Sequence, residues 1–552
     1  MNQDLEVSEK KKVKTKEARR EQGEPAPGTS VAKNGLEGVE SEYQRLFSSL
    51  DIDADGVISK QDFFTKLHDC GILDDDPRVS EAVESFKALE ERSQAERNLS
   101  IDYQQFKELA RHNSTLIRNA ITGNLAVPDF KTLCDDFKDI FQQVEKNTQG
   151  QVATYIPQLG RVNPEQFAIS VCTVDGQRFS FGDASVPFCV QSVSKPVSYS
   201  LALEEHGEST VHRHMGRESS GRRFNELALN DAGLPHNPMI NAGAIMSCAM
   251  IRPKLDLADR FEYVLDTWQR LAGKRRVGFN NSVYLSERQT ADRNFALGYF
   301  MREKKAFPAG TDLVQALEFY FQCCSIEIDA EALAIVAASL ANAGICPTTG
   351  ENILNANTVQ NCLSLMSSCG MYDFSGEFAF SIGLPAKSGV SGALMIVVPR
   401  LMGITIWSPR LDALGNSVRG IEFCKQLVSR YNFHTYDSLT SGINAKRDPR
   451  LKKNQERIEG IVNLCWAASQ GDLGEVQRLT ACGTDLKGAD YDGRTAIHLA
   501  ASEGHAQIVA FLISKGVDID PMDRWNGTPL ADAYRGNHEA VIRLLEKHHA
   551  RK

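Results

Sequence analysis

The C-terminal part of the chain repeats itself, and this repeat constrains the fold more than any other feature. The string Asp492-Gly-Arg-Thr495-Ala-Ile-His498-Leu-Ala returns as Trp525-Asn-Gly-Thr528-Pro-Leu-Ala, and Thr495 and Thr528 are 33 residues apart. A unit of this length cannot bury its apolar face alone, so neighbouring units have to stack. We therefore predict a stack of helical repeats over residues 457–552.

The 33-residue period is that of ankyrin repeats. The pairs Gly471-Asp472 and Gly504-His505 keep the same spacing and fit turns between paired helices. We predict two complete repeats and a partial first one. Ankyrin repeats indicate a protein partner, whose identity the pattern does not specify.

The net charge argues against nucleic acids and anionic membranes as partners. The chain carries a net charge of -9 and has a pI of about 5.8, whereas nucleic acids and anionic membranes attract basic faces. No apolar run approaches the roughly 20 residues of a membrane-spanning helix. The longest, residues 392–407, is interrupted by Pro399 and Arg400 and is typical of two strands. We expect no nucleic-acid partner and no membrane span.

Cysteine usage and the N-terminus indicate an intracellular protein. The 13 cysteines form no C-x-x-C pair and no histidine cluster has zinc spacing, so we expect no structural metal. Residues 1–37 are rich in Lys, Glu, Pro and Gly and are predicted to be disordered. Their acidic residues, including Asp4 and Glu6, make them a poor match to a mitochondrial transit peptide.

Residues 38–145 are predicted to form an EF-hand-like helical module. Asp51, Asp53, Asp55 and Gly56 occupy positions 1, 3, 5 and 6 of the calcium-loop pattern, but position 12 is Asp62 instead of the usual Glu. Two interpretations stay open. The loop binds calcium weakly at Asp51, Asp53 and Asp55, or the helical pair serves packing alone.

Residues 146–440 mix strands with helices, and residues 441–456 are predicted to be a linker. Residues 167–174 are β-rich and run into Asp175-Gly176, a hairpin signal. A second hairpin is predicted at residues 392–398 and 402–407, with helices at 313–321 and 330–343 between the two. This order favours an α+β fold.

The candidate nucleophile is Ser192, in the motif S-x-x-K with Lys195. Residues three apart share a helix face, so the lysine amine can take the serine proton if burial lowers its pKa. A helix N-terminus also offers N–H groups to a developing oxyanion. The motif alone is weak, because Ser8 and Lys11 match it too.

A second motif strengthens the first. Lys387-Ser388-Gly389 follows far downstream, and S-x-x-K with a later K-[ST]-G is the pairing of β-lactamases and penicillin-binding proteins. The backbone N–H of Val390 would then complete an oxyanion hole with that of Ser192.

Several polar residues lie in turn-like contexts with two interpretations each. Asn241 precedes Ala-Gly and either binds a ligand or shapes a turn. Glu287 either binds a ligand or caps a helix, and Tyr372 is either functional or a buried phenol.

Long motifs resemble the animal glutaminases of the kidney and liver type. They read YIPQL, VCTVDGQR, HNPMINAGAI, DRNFALGYF, FYFQCCSIEI, GMYDFSGEFAF and GLPAKSGVSGALMIVVP. The resemblance extends from about residue 40 to 548. It implies a serine β-lactamase-like catalytic domain, hydrolysis of L-glutamine to glutamate and ammonia without a required cofactor, and a homotetramer.

The resemblance also implies a set of site residues. Ser192 would be the nucleophile, Lys195 its base, and Tyr372 a group that helps to move protons. The substrate-binding residues would be Tyr155, Gln191, Ser192, Asn241, Glu287, Asn294, Tyr320, Tyr372 and Val390.

Two departures from the family put regulation and location in doubt. Residues 216–230 resemble a gating loop that responds to phosphate, but Glu226 stands where relatives commonly carry Lys, and Ala228 replaces a bulkier residue of some relatives. A carboxylate there would repel phosphate. The family is mitochondrial, whereas the poor transit-peptide match favours a cytosolic form or an alternative start.

Two other functions compete with glutamine hydrolysis. A penicillin-binding-like acyltransferase or esterase would share Ser192, Lys195 and Lys387. It would not need the set for a zwitterionic amino acid, which is Asn241, Glu287, Asn294 and Tyr320. A non-enzymatic scaffold would use only the EF-hand-like module and the ankyrin repeats.

Overall fold

The computed structural model describes residues 43–51, 55–93, 100–111, 114–221, 226–439, 446–451, 455–481 and 483–548. The predictions for residues 1–37 and for Asp53 lie outside these ranges. Within them every cysteine is a free thiol, and no helix is both long and apolar enough to cross a membrane.

The N-terminal module is a pair of helix–strand–helix units. Its elements are α1 (43–50), β1 (Val57–Ser59), α2 (Lys60–Asp69), α3 (Ser80–Ser93), β2 (Ser100–Asp102), α4 (Tyr103–Arg111) and α5 (Ser114–Thr122). β1 pairs antiparallel with β2, and Ile58 faces Ile101. Both isoleucines are buried, so the second unit supports the first by packing.

The side chains of the calcium-loop pattern bond to the loop itself. The Asp51 carboxylate accepts hydrogen bonds from the Asp55 and Gly56 amides, each at 3.1 Å. Asp62 Oδ2 accepts one from Ser59 Oγ at 2.6 Å. Among the described residues, no group of three or more His, Cys, Asp and Glu side chains is arranged to hold a metal ion.

The central domain places helices around two antiparallel sheets. Its strands are β3 (Ala168–Thr173), β4 (Arg178–Gly182), β5 (Phe188–Cys189), β6 (Gly278–Phe279), β7 (Ile326–Ile328), β8 (Ala386–Ser388), β9 (Ala393–Val398) and β10 (Met402–Trp407). The larger sheet has the order β4-β3-β10-β9-β8, and the smaller has the order β5-β7-β6. The α+β class is therefore confirmed.

The helices of this domain flank both sheets. They are α6 (Phe130–Val144), α7 (Pro157–Gly160), α8 (Ser194–His206), α9 (Glu208–Val211), α10 (Asn241–Met250), α11 (Leu257–Leu271), α12 (Asn281–Gln289), α13 (Asp292–Glu303), α14 (Leu313–Cys324), α15 (Ala330–Ala341), α16 (Ala356–Cys369), α17 (Ser375–Ser381) and α18 (Val418–Arg430). The two predicted helices are confirmed as α14 and α15.

Both predicted hairpins are confirmed. Gly176 has φ +85°, in the left-handed region that a tight turn between β3 and β4 requires. Along β9, Met395 and Val397 pack into one hydrophobic core while Leu394 and Ile396 pack into another. This alternation explains why a strand without polar residues lies between two layers of helices.

The N-terminal module docks on the β3–β4 hairpin. Gln177 Nε2 donates to Cys70 O and Val127 O at 3.0 Å each, and its Oε1 accepts from the Val127 amide at 2.9 Å. The Arg178 amide donates to Gly71 O at 2.7 Å. Because Gln177 is 1 % exposed, these bonds are shielded from water.

The C-terminal repeats form three helix pairs. The helices are α19 (Gln455–Gln470), α20 (Leu473–Ala481), α21 (Ala496–Ser502), α22 (Ala506–Ser514), α23 (Pro529–Arg535) and α24 (Glu539–Lys547). The first repeat is thus a complete pair, and its description as partial was wrong. His505 Nε2 bonds Ser469 O at 3.0 Å and His538 Nε2 bonds Ser502 O at 2.9 Å, so each pair is tied to the one before it.

Candidate active site

Ser192 lies at the entry to α8. It belongs to a 3-10 turn, Gln191–Val193, which connects β5 to that helix. The prediction placed Ser192 on the helix N-terminus itself, and it is instead in the turn just before it. Gln191 has φ +49°, a conformation that costs a non-glycine residue about 1–3 kcal/mol. Such strain next to Ser192 indicates a segment held in place by its surroundings.

Lys195 contacts Ser192 directly. Its Nζ donates to Ser192 Oγ at 2.7 Å and to Asn241 Oδ1 at 2.9 Å. The side chain is 1 % exposed, and burial lowers the pKa of the amine to about 8, although the nearby Cys324 and Glu287 favour the charged form. An amine with this pKa can take up the serine proton near neutral pH.

Asn241 begins α10, and Asn294 lies in the first half of α13. Asn241 Nδ2 donates to Asn294 Oδ1 at 3.1 Å. Because Asn241 Oδ1 accepts the hydrogen bond from the Lys195 amine, both the oxygen and the nitrogen of this amide are hydrogen-bonded. Asn241 therefore connects Lys195 to Asn294.

Glu287 faces the same space from α12. Its Oε1 lies 2.5 Å from the Tyr155 hydroxyl, which is also 3.2 Å from Gln191 Oε1. Burial raises the pKa of Glu287 above its usual value, while hydrogen bonds from Tyr155 and Gln191 oppose this rise. A cationic ligand group at Glu287 would offset the cost of burying the carboxylate.

Two residues from much later in the sequence, Tyr372 and Val390, also approach Ser192. Tyr372 has φ +54°, and burial raises the pKa of its phenol well above the usual range, with the Ser192 hydroxyl opposing. Val390 lies in the turn formed by the Gly389–Ala393 and Gly392–Gly389 hydrogen bonds. A Cβ at Gly389 would lie 2.9 Å from Val190 O, so glycine permits the close approach of this turn.

These residues enclose a cavity of about 300 Å³. Its lining is Tyr155, Gln191, Ser192, Asn241, Glu287, Thr290, Arg293, Asn294, Tyr320, Cys324 and Val390. The structure thus brings together all the predicted substrate-binding residues except Tyr372, which meets Ser192 outside this lining. Lys195 likewise contacts Ser192 without lining the cavity.

Sequence reasoning missed Thr290, Arg293 and Cys324. Cys324 follows Tyr320 by four positions on α14, and that spacing places both on one helix face. This spacing could have indicated from the sequence that Cys324 lines the same cavity as Tyr320. Thr290 and Arg293 carried no comparable signal, because they enter the lining only through the bend between α12 and α13.

Comparison with known proteins agrees with this geometry. A family model described as glutaminase matches residues 150–436, one described as ankyrin repeats (3 copies) matches 464–552, and one described as EF-hand domain matches 43–128. A putative glutaminase 2 of Caenorhabditis elegans is 45% identical over 533 residues, which is 93% of this chain and 88% of the relative.

A mammalian relative and a solved structure give the same result. The liver isoform of glutaminase from Mus musculus, named as mitochondrial, is 45% identical over 489 residues, 88% of this chain and 81% of its own. A solved structure of a probable glutaminase has a TM-score of 0.51 and 35% identity, covering 53% of this chain and 96% of its own. The chain therefore belongs to the glutaminase family and is an amidohydrolase that converts glutamine to glutamate.

Proposed function

We propose that hydrolysis proceeds through a covalent γ-glutamyl ester on Ser192, with Lys195 as the base. The observation that carries this proposal is the 2.7 Å contact between Lys195 Nζ and Ser192 Oγ, made by a buried amine whose pKa is about 8. An unprotonated amine at this distance is a general base for the hydroxyl.

In the first half-reaction the Ser192 hydroxyl adds to the side-chain amide carbon of glutamine as its proton passes to Lys195. The amides of Ser192 and Val390 stabilise the negative charge on the amide oxygen. The carbon–nitrogen bond then breaks, and the leaving nitrogen takes a proton from Lys195, with the Tyr372 phenol beside Ser192 relaying it. Ammonia leaves and the ester remains.

In the second half-reaction water adds to the ester carbon and gives its proton to Lys195. The carbon–oxygen bond to Ser192 breaks, and the proton returns to Ser192 Oγ. The products are glutamate and the original serine. No cofactor takes part in either step.

Recognition of the substrate uses its two charged groups. The α-ammonium group pairs with Glu287, which burial makes costly to ionise without a cation. The α-carboxylate accepts hydrogen bonds from the amides of Asn241 and Asn294 and from the phenol of Tyr320, while Tyr155 keeps its hydrogen bond to Glu287. The cavity of about 300 Å³ lies at the small end of ligand pockets, which suits a single amino acid.

Replacing the nucleophile tests the proposal. Ser192→Ala should lower kcat by several orders of magnitude while the protein still folds. Ser200→Ala is the matched control, because Ser200 is a fully buried serine farther along α8 and outside the cavity lining. Ammonia release measures activity, and circular dichroism measures folding.

A Ser192→Ala variant that kept more than about a tenth of the normal kcat would contradict the mechanism. Nitrocefin tests the competing acyltransferase function. The wild-type protein should release ammonia from glutamine and leave nitrocefin intact.

Metal and phosphate dependence are further proposals. We infer weak calcium binding at Asp51, Asp53 and Asp55, supported by the loop pattern, and calorimetric titration with calcium would test it. We also infer that phosphate activates this enzyme weakly, because the exposed Glu226 puts a negative charge in the loop.

Assembly and location follow from the resemblance alone. We propose a homotetramer, which light scattering after size exclusion would measure. The ankyrin repeats are proposed to bind another protein. The name of the mouse relative supports a mitochondrial location, and imaging of the tagged full chain would distinguish it from a cytosolic one.

A further inference from the structure

Lys387 has no role in the mechanism described so far, yet it is fully buried beside the site. It lies on β8 opposite Met395 of β9, and it is 0 % exposed. It does not line the glutamine cavity.

The amine of Lys387 contacts the segment that leads into Tyr372. Its Nζ donates to Gly370 O at 3.1 Å and to Ser388 O at 2.8 Å. The Ser388 amide donates to the same Gly370 oxygen at 3.2 Å. A Cβ at Gly370 would lie 1.8 Å from Ala386 O, so β8 packs directly against this backbone.

The same amine also lies over the ring of Tyr372, 4.6 Å from its centroid. Lys387 therefore holds Tyr372 at two points, through the carbonyl two residues before it and through the face of its ring. The N–H groups of an amine over an aromatic face make an attractive contact with the ring.

Tyr372 needs such support because its backbone is in the left-handed region, at φ +54°. A non-glycine residue keeps this conformation only when its surroundings impose it. The Ser375 hydroxyl contributes by donating to Tyr372 O at 2.7 Å. Of Ser375 and Lys387, it is Lys387 that also contacts the phenol ring.

Burying Lys387 is costly, which argues that it is kept for a purpose. Burial and the charge of Lys195 lower the pKa of its amine well below the usual range, while the Cys369 thiol acts weakly in the opposite direction. An apolar side chain would fill the same space at lower cost.

We propose that Lys387 is a positioning residue for glutamine hydrolysis: its amine holds Tyr372 in the left-handed conformation that presents the phenol to Ser192. This inference rests on the proposed role of Tyr372. The Ser192→Ala experiment tests the nucleophile separately.

A double-mutant cycle tests the proposal. Lys387→Met keeps the length of the side chain and removes its N–H groups. In the otherwise unchanged enzyme it should lower kcat about tenfold or more, the size of an acid–base contribution, and leave KM within about twofold. In a Tyr372→Phe background the same change should lower kcat by less than about threefold, because the positioned hydroxyl is already absent.

Thr405→Val is the matched control. Thr405 is also a fully buried polar residue of the same sheet, on β10. Its replacement by valine should change kcat by less than about twofold. If the Lys387→Met protein is insoluble, Lys387→Gln takes its place in the cycle. The glutamine side chain keeps one donor group that can bond the carbonyls.

Four results would overturn the proposal. Equal losses of kcat in both backgrounds would show that Lys387 acts independently of Tyr372. A raised KM with unchanged kcat would make it a binding residue. An unfolded Lys387→Gln protein would make it a requirement of the fold. Full activity of Tyr372→Phe would remove the role of Tyr372, and with it this inference, while leaving the Ser192 mechanism standing.

Discussion

At the scale of single residues, Glu287 is the clearest test of how the cavity distinguishes glutamine from other amides. Its carboxylate is 8 % exposed and bonds Tyr155. Glu287→Gln removes the charge opposite the substrate ammonium group, which then stays poorly compensated. We expect KM to rise by about tenfold or more while kcat falls less.

Discrimination against glutamine analogues without the α-amino group should shrink in the same variant. Glu262→Gln, an exposed change on α11, is the control and should leave both constants unaltered. A collapsed kcat at normal KM would move Glu287 from binding to catalysis.

Lys195 predicts the pH dependence. The base has to be unprotonated, and its pKa is about 8, so the reactive fraction rises as the pH increases toward that value. Below the pKa, kcat/KM should fall by about tenfold per pH unit, and above it the profile should level off. Rates measured at constant ionic strength would show this limb, with unfolding checked at each pH. A flat profile below about pH 8 would argue against Lys195 as the base.

The S-x-x-K spacing predicted the contact between Ser192 and Lys195, whereas the resemblance to a known family implied the other residues of the candidate site. Ser192 and Lys195 meet as expected, and Asn241, Glu287 and Asn294 lie together despite their separation along the chain. The sequence could not predict that Lys387 turns away from the cavity. That orientation depends on the packing of β8 against Gly370, a contact between distant segments.

At the scale of elements, the loop at residues 216–230 carries the regulatory prediction. Phosphate bears between one and two negative charges near pH 7, and the exposed Glu226 repels it. At about 4 Å and an effective dielectric near 20, reversing one charge changes the interaction by several kcal/mol before screening. Screening over a Debye length of about 8 Å reduces this to roughly 1 kcal/mol, which is several-fold in apparent affinity.

Glu226→Lys should therefore strengthen activation by phosphate. Asp231→Lys reverses a nearby exposed carboxylate and controls for net charge. Activity would be titrated with phosphate at constant ionic strength for all three proteins. Superimposable curves for wild type and Glu226→Lys would show that the loop charge is irrelevant.

Elements were predictable where the pattern is local. The β3–β4 hairpin follows from Asp175-Gly176, and β9 and β10 follow from their apolar runs. The pairing of β1 with β2 was not predicted, because the calcium-loop pattern indicates only the first unit. Its strand is specified by packing of Ile101 against Ile58, which ligand spacing does not reveal.

At the scale of the whole molecule, the ankyrin repeats are expected to be separable from the catalytic domain. Their buried core consists of residues of the repeats themselves, from Leu464 to Leu545. The residues of the cavity all precede residue 400. Deleting residues 457–552 should leave a folded enzyme with kcat/KM within about threefold of the full chain.

The truncated protein keeps residues 446–451, which bond to the catalytic domain. The Arg447 amide donates to Arg430 O at 2.9 Å, and Lys446 pairs with Asp437 at 2.8 Å. Size exclusion and ammonia release measure the outcome. Loss of all soluble protein would show that the repeats are needed for folding.

The order of strands in the larger sheet has a consequence for synthesis. β3 pairs with β10, and Cys172 faces Gly403, so neighbours in the sheet are far apart along the chain. Such pairings slow folding, since a long loop has to close first. During translation β3 emerges well before its partner and presents an open edge. The N-terminal module has been synthesised by then, and its hydrogen bonds to Gln177 and Arg178 attach it to the β3–β4 hairpin. These bonds can thus hold the β3–β4 hairpin in place until β10 has been synthesised.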